Sequence, residues 1–157
     1  MPQVSDIRLM VRAEQPVLSA RIKVGYKELE EMFARKREDA LRILRKTGIY
    51  MTDVPFIIYY DFMNMDLHDL DVEICFPVSC MMEGNEGVQP RVIPSSKVVH
   101  CLFRGDYDEM DYLYGEMTSW MMMKGYEPEG TAYEFYYRKK EESYDDRLTK
   151  IVLPVKS

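Results

Sequence analysis

Apolar and polar positions mix over Val17-Leu18-Ser19-Ala20-Arg21-Ile22-Lys23-Val24, a run with β-branched residues that ends at Gly25, and this predicts a strand. From Tyr26 to Lys46 the period changes. Leu29, Met32, Phe33, Ala40, Ile43 and Leu44 recur at steps of three and four among Glu, Lys and Arg, which gives one apolar stripe on a long helix. Thr47-Gly48 supplies the stop, because glycine tolerates the left-handed cap conformation. Phe56–Tyr60 and Leu70–Val78 are rich in β-formers and separated by a polar, Asp-containing connection, which predicts a strand pair. Ser79 to Ser96, with Gly84, Asn85, Gly87, Pro90 and Pro94, has the composition of a linking loop.

The second half repeats this order. Lys97–Gly105 reads as a strand, and Tyr107–Lys124 as a helix whose apolar face carries Met110, Leu113, Tyr114, Met117, Trp120 and Met121, capped by Gly125. Two further strands are predicted at Thr131–Arg138 and Leu148–Lys156. Phe56–Tyr60 aligns with Tyr133–Tyr137 at an offset of 77, and Phe76-Pro77-Val78 aligns with Leu153-Pro154-Val155 at the same offset. One domain over 1–157 is therefore expected, built from half-repeats at about 17–78 and 97–156 with a linker at 79–96. Three strands and one helix leave a sheet edge and a sheet face uncovered, and two such units side by side protect both and leave a crevice where ligands often sit. The expected architecture is α+β: two antiparallel sheets related by a pseudo-twofold axis, with one helix packed on each.

Composition narrows the function classes. The 12 Tyr, 6 Phe and 1 Trp in 157 residues, with 46% hydrophobic content, supply an ordinary core and argue against disorder. A net charge of −6, from 27 acidic and 21 basic residues, argues against direct nucleic-acid binding. No apolar run approaches the roughly 18–20 residues of a membrane helix, and the N-terminus lacks the charged-then-apolar order of a signal peptide, so a cytoplasmic protein without membrane contact is expected. Cys75, Cys80 and Cys101 are odd in number and lack CxxC spacing, which fits free thiols in a reducing compartment. His68 and His100 lie in different halves without zinc spacing, and no glycine-rich phosphate loop is present, so neither metal nor cofactor is expected.

The order strand, Gly, acidic helix, aromatic strand, then Asp71-Val72-Glu73-Ile74-Cys75-Phe76-Pro77-Val78, followed by a second copy with Tyr133-Glu134-Phe135-Tyr136 and Ile151-Val152-Leu153-Pro154-Val155-Lys156, resembles the GyrI-like small-molecule-binding domain. That fold is also the effector-binding domain of AraC- and MerR-type regulators. The resemblance runs from about Val17 to the C-terminus. It implies a crevice for bulky, hydrophobic and often cationic compounds, with the glutamate of the Tyr-Glu-x-Tyr strand, here Glu134, at its base. Only about 16 residues precede the first strand, too few for the helices of a DNA reader, so a free-standing version acting by sequestration, partner binding or ligand chemistry is expected.

Strand alternation extends the expected site. Glu134 and Tyr136 share one face, and the 77-residue offset places Ile57 and Tyr59 with them. Phe56, Ile58 and Tyr60 are then expected beneath the helix, and Glu73 and Cys75 on the crevice side, since Val72, Ile74 and Phe76 form the better core set. Trp120 and Tyr112 complete the candidate ligand-binding set, in which a carboxylate among aromatic rings suits a cation. Other readings of Glu134 are a solvated strand carboxylate or one paired with Lys150. Some family members resemble hydrolases that open strained cyclopropane rings, which makes Glu134 a base and Tyr59, Tyr112 or Tyr136 a hydrogen-bond donor. Another alternative is a protein partner: the resemblance allows an inhibitor of a DNA enzyme such as gyrase, with Glu141-Glu142-Ser143-Tyr144-Asp145-Asp146 as an acidic hairpin.

Overall fold

The computed structural model describes residues 5–83, 87–105, 109–137 and 147–156. The chain divides into two compact units, one formed by residues 13–95 and the other by residues 1–12 and 96–157. Both are α+β, and every described strand ladder is antiparallel.

The 13–95 unit contains β2 (Gln15–Val24), α1 (Leu29–Thr47), β3 (Phe56–Tyr59), β4 (Leu70–Pro77) and β5 (Gln89–Ile93). β4 lies between β3 and β2, and β5 pairs with the other side of β2. β5 corrects the expectation that 79–96 is a loop throughout: Pro90 and the surrounding turn residues mask a strand that tolerates proline because it lies outermost in this unit. A 3-10 turn at Tyr26–Glu28 leads into α1, which buries Ala40, Ile43 and Leu44 and sets Phe33 against Phe76 with ring centroids 5.9 Å apart. Its solvent side carries ion pairs at helical spacing, such as Arg35 to Glu31 at 2.8 Å. Gly48 ends the helix at φ 72°, its N–H donating to the Leu44 carbonyl.

The second unit contains β1 (Arg8–Arg12), β6 (Ser96–Arg104), α2 (Met110–Met123), β7 (Ala132–Tyr136) and β8 (Leu148–Pro154). β6 lies between β1 and β8, and β7 pairs with the other side of β8. β1 falls in a stretch for which no strand is expected from sequence, and it owes its place to pairing with β6, some ninety residues away. α2 buries Met110, Leu113, Met117 and Met121, the spacing of one helical face. Its end is closed by Gly125 at φ 81°, with the Tyr126 N–H donating to the Met121 carbonyl at 2.8 Å. The acidic stretch 141–146 lies outside the described residues.

Candidate functional site

In an antiparallel ladder, residues directly opposite one another project to the same side of the sheet, so register assigns faces. In the 13–95 unit Ile57 is opposite Ile74 and Tyr59 opposite Val72, whereas Ile58 is opposite Glu73 and Phe56 opposite Cys75. The Phe33–Phe76 contact identifies the Val72, Ile74 and Phe76 side as the one α1 covers. The expected grouping is thereby corrected. Ile57 and Tyr59 point towards α1 and away from Glu73 and Cys75, while Phe56, Ile58 and Tyr60 share the face of Glu73. All three strand positions 56–58 are buried, so hydrophobicity alone carried no information about which side met the helix.

The same correction applies to the other unit. Glu134 is opposite Ile151 and Tyr136 opposite Thr149, and the Tyr114 hydroxyl of α2 donates to Glu134 Oε2 at 2.5 Å. Glu134 and Tyr136 therefore lie on the face that α2 covers. Glu134 and Tyr136 share a face, as alternation requires, but it is the helix-covered one and not the open one expected. The Tyr136 hydroxyl donates to the other carboxylate oxygen at 2.7 Å. Tyr114 is the residue missing from the expected set. Its position among Met110, Leu113 and Met117 puts it on the sheet-facing side of α2, and a phenol enclosed there needs an acceptor. Pairing of Glu134 with Lys150 is not formed: Lys150 projects to the opposite face, where its ammonium lies over Phe135 at 4.6 Å.

Two glutamates thus sit in contrasting surroundings. Glu73 is 3% exposed and accepts from Ser19 Oγ at 2.6 Å, from the Tyr60 hydroxyl at 2.6 Å and from the Arg91 guanidinium. Burial opposes its ionisation, but these hydrogen bonds and the Arg91 charge outweigh that and hold its carboxyl below the ordinary range. Tyr60 is pushed up in turn by burial and by the adjoining carboxylate. Arg21 stacks over the Tyr60 ring at 3.7 Å while bonding Asp71 through two atoms, so the whole cluster is internally neutralised. Glu134 differs. Among the described residues its hydrogen-bond partners are the two neutral phenols, and the neighbouring charge is Asp111. Burial raises its carboxyl above the ordinary range, the two tyrosine hydrogen bonds oppose this, and Asp111 adds to it.

The remaining candidates are dispersed. Cys75 is fully buried, its thiol 3.7 Å from the Glu73 carbonyl oxygen. Tyr112 is 71% exposed on α2 and bonds Glu116, so it does not join Glu134. Trp120 is half-buried near the end of α2, stacked on Tyr126 at 6.5 Å with the Lys124 ammonium 5.7 Å from its ring. Among the described residues no three His, Cys, Asp or Glu side chains cluster as metal ligands, and no helix is long and apolar enough to cross a membrane.

An α+β chain whose antiparallel strands carry a phenol-bracketed carboxylate under a helix has the build of a small ligand-binding domain. The sequence matches the GyrI-like small molecule binding domain over residues 6–156, and the chain belongs to that family. It is similar in structure to the EcmrR C-terminal domain, with 22% identity and a TM-score of 0.79 over 97% of this chain and 98% of that one. Against EcmrR in its DNA complex it spans 57% of the longer chain. A hydrolase from Listeria innocua superimposes with a TM-score of 0.74 at 10% identity, covering 99% of this chain and 94% of that one. SAV2435, solved bound to tetraphenylphosphonium, does so with a TM-score of 0.59 at 12% identity, covering 98% and 95%. No curated protein matches the sequence.

Proposed function

We propose that the chain binds bulky lipophilic cations, with Glu134 as the counter-charge and Tyr114 and Tyr136 holding its carboxylate in place. The observation that carries this is the contrast between the two glutamates. Glu73 has a guanidinium of its own, whereas Glu134 is set in a raised-pKa environment with phenols alone around its oxygens among the described residues. An ionised carboxylate in such surroundings gains most from a cation that arrives without a tightly held water shell, and ring faces beside it add to that attraction. Tetraphenylphosphonium, the compound bound to the structurally similar SAV2435, is of this class.

A second reading, hydrolysis of a strained electrophile, draws on the same pair: a carboxyl with a raised pKa in contact with a phenol donor is suited to proton transfer, and a structurally similar protein is described as a hydrolase. One experiment separates the two. Wild type and Glu134→Gln are screened by thermal shift against hydrophobic cations and cyclopropane-bearing electrophiles, and each stabilising compound is recovered and weighed by mass spectrometry. Binding predicts concentration-dependent stabilisation by cations, an unchanged mass, and loss of the shift in Glu134→Gln. A product heavier by one water, formed by wild type and not by Glu134→Gln, supports the hydrolase. Equal shifts in both proteins overturn the role of Glu134.

A further inference from the structure

The connection between β3 and β4 turns its apolar side chains to water. Tyr26, Met63, Met65 and Leu67 are between 44% and 63% exposed, and they share the end of the 13–95 unit where β2 finishes and β4 begins, the Tyr26 N–H donating to the Leu67 carbonyl at 2.8 Å. Met63, Met65 and Leu67 fall two residues apart, so neighbours along the row are at most about 7 Å from Cα to Cα. The polar groups of the same segment are turned back on its own backbone. Asp61, at φ 53°, opens a 3-10 turn over Phe62–Asn64, and Asn64 donates to it from its backbone N–H at 3.0 Å and from its side-chain amide at 3.1 Å. Asp66 accepts from the His68 N–H at 2.9 Å through its carboxylate and from the Asp69 N–H at 3.0 Å through its carbonyl. The apolar row is thus presented on a backbone held by its own hydrogen bonds, which lowers the ordering cost of binding there.

We infer that this end of the unit docks a cationic amphipathic helix of a protein partner, whose apolar anchors sit on Tyr26, Met63, Met65 and Leu67 and whose lysines and arginines meet the carboxylates around them. The charge beside the row decides the kind of partner. Glu28, Asp61 and Asp66 are exposed there against Lys27, while Asp69 pairs with Lys23 at 3.8 Å, both side chains more than half exposed. An excess of carboxylates repels nucleic acid, anionic lipid surfaces and a second copy of the same patch, and it draws in a positively charged partner. Residues three and four apart on a helix lie about 5–6 Å from one another, a spacing that the row of Met63, Met65 and Leu67 matches, and methionine side chains adapt to anchors of varied shape. The surface belongs to the 13–95 unit and uses none of Tyr114, Glu134 or Tyr136.

Methionine methyl groups read the docking directly. The full chain, carbon-13 labelled at those methyls, is titrated with an 18-residue peptide of leucine and lysine whose leucines recur at helical steps of three and four. Met63→Leu, Met65→Leu, Met122→Leu and Met123→Leu assign the four signals. Saturable shifts are expected at Met63 and Met65, and none at Met122 and Met123, which are exposed on α2. The same peptide with glutamate in place of lysine is expected to bind at least tenfold more weakly. An equal loss is expected for the lysine peptide against Met63→Ser/Met65→Ser/Leu67→Ser, checked for folding by circular dichroism, whereas Met122→Ser/Met123→Ser binds it as wild type does. No shift at Met63 and Met65, equal binding of the two peptides, or wild-type affinity in the folded triple variant overturns the proposal. So does sedimentation showing a dimer of the free chain that the triple variant abolishes, because a second copy is then the occupant. The methyl shifts on wild type decide the question if the triple variant does not fold.

Discussion

Arg91→Met tests the distinction between a carboxylate that serves the fold and one that serves a ligand. Removing one partner of a buried ion pair costs roughly 3–5 kcal/mol, because it strands the other charge. Here Ser19 and Tyr60 continue to donate to Glu73, and the Arg91 side chain is 41% exposed, so water already screens part of the attraction. The expected loss is about 2–3 kcal/mol, or a fall in Tm of roughly 5–10 °C for a chain of this size. The pH dependence carries a sign. In wild type the folded-state pKa of Glu73 is depressed, so its contribution is present above the unfolded carboxyl value and is lost as pH falls through the folded one. Without Arg91 burial gains the upper hand and that contribution shrinks. The stability gap between the two proteins is therefore widest near neutral pH and narrows in acid. Urea denaturation at about pH 7 and about pH 3.5 measures both gaps, and Glu73→Gln on the Arg91→Met background should recover part of the loss. An Arg91→Met protein within about 0.5 kcal/mol of wild type at neutral pH, or a gap that grows in acid, would refute the assignment.

Three further outcomes follow from the same geometry. Tyr114→Phe removes a donor that favours the charged form of Glu134, so the pKa of Glu134 climbs further; because the neutral carboxyl does not attract a cation, tetraphenylphosphonium affinity is lost at a higher pH than in wild type, as a pH series of binding isotherms will read. Gly48→Ala forces an L side chain into φ 72° at the end of α1 in open space, so backbone strain alone operates and stability falls by about 1 kcal/mol in chemical denaturation. Tyr112→Phe, at an exposed helix position bonded to Glu116, leaves cation affinity at the wild-type value in calorimetry.

How much of this was legible in the sequence depends on what each signal encodes. Helical periodicity located α1 and α2 to within a few residues, because an amphipathic helix must repeat its apolar positions every turn whatever it packs against. β1 and β5 carry no such mark. Arg8–Arg12 and Gln89–Ile93 are short and polar or proline-bearing, and they are strands because β6 and β2 offer them hydrogen bonds. Glu134 emerged from the Tyr-Glu-x-Tyr pattern through family resemblance. Alternation grouped it correctly with Tyr136 but misjudged the helix side, since Phe56, Ile57 and Ile58 are all buried and period-two reasoning needs one wet face to orient itself. Tyr114 was visible as an apolar-face residue, and only its hydroxyl's need for an acceptor separates it from the methionines beside it. The Glu73–Arg91 pair joins β4 to β5, a strand that sequence reading does not provide, and so had no sequence signature.

Isothermal titration calorimetry of tetraphenylphosphonium against wild type and Glu134→Gln tests most directly whether Glu134 is the counter-charge for a lipophilic cation. A cation about 5 Å from a partly enclosed carboxylate gains about 3 kcal/mol at an effective dielectric near 20, so binding to wild type should be roughly 100- to 300-fold tighter than to the amide variant. Equal affinities, or no heat of binding to either protein, would contradict it.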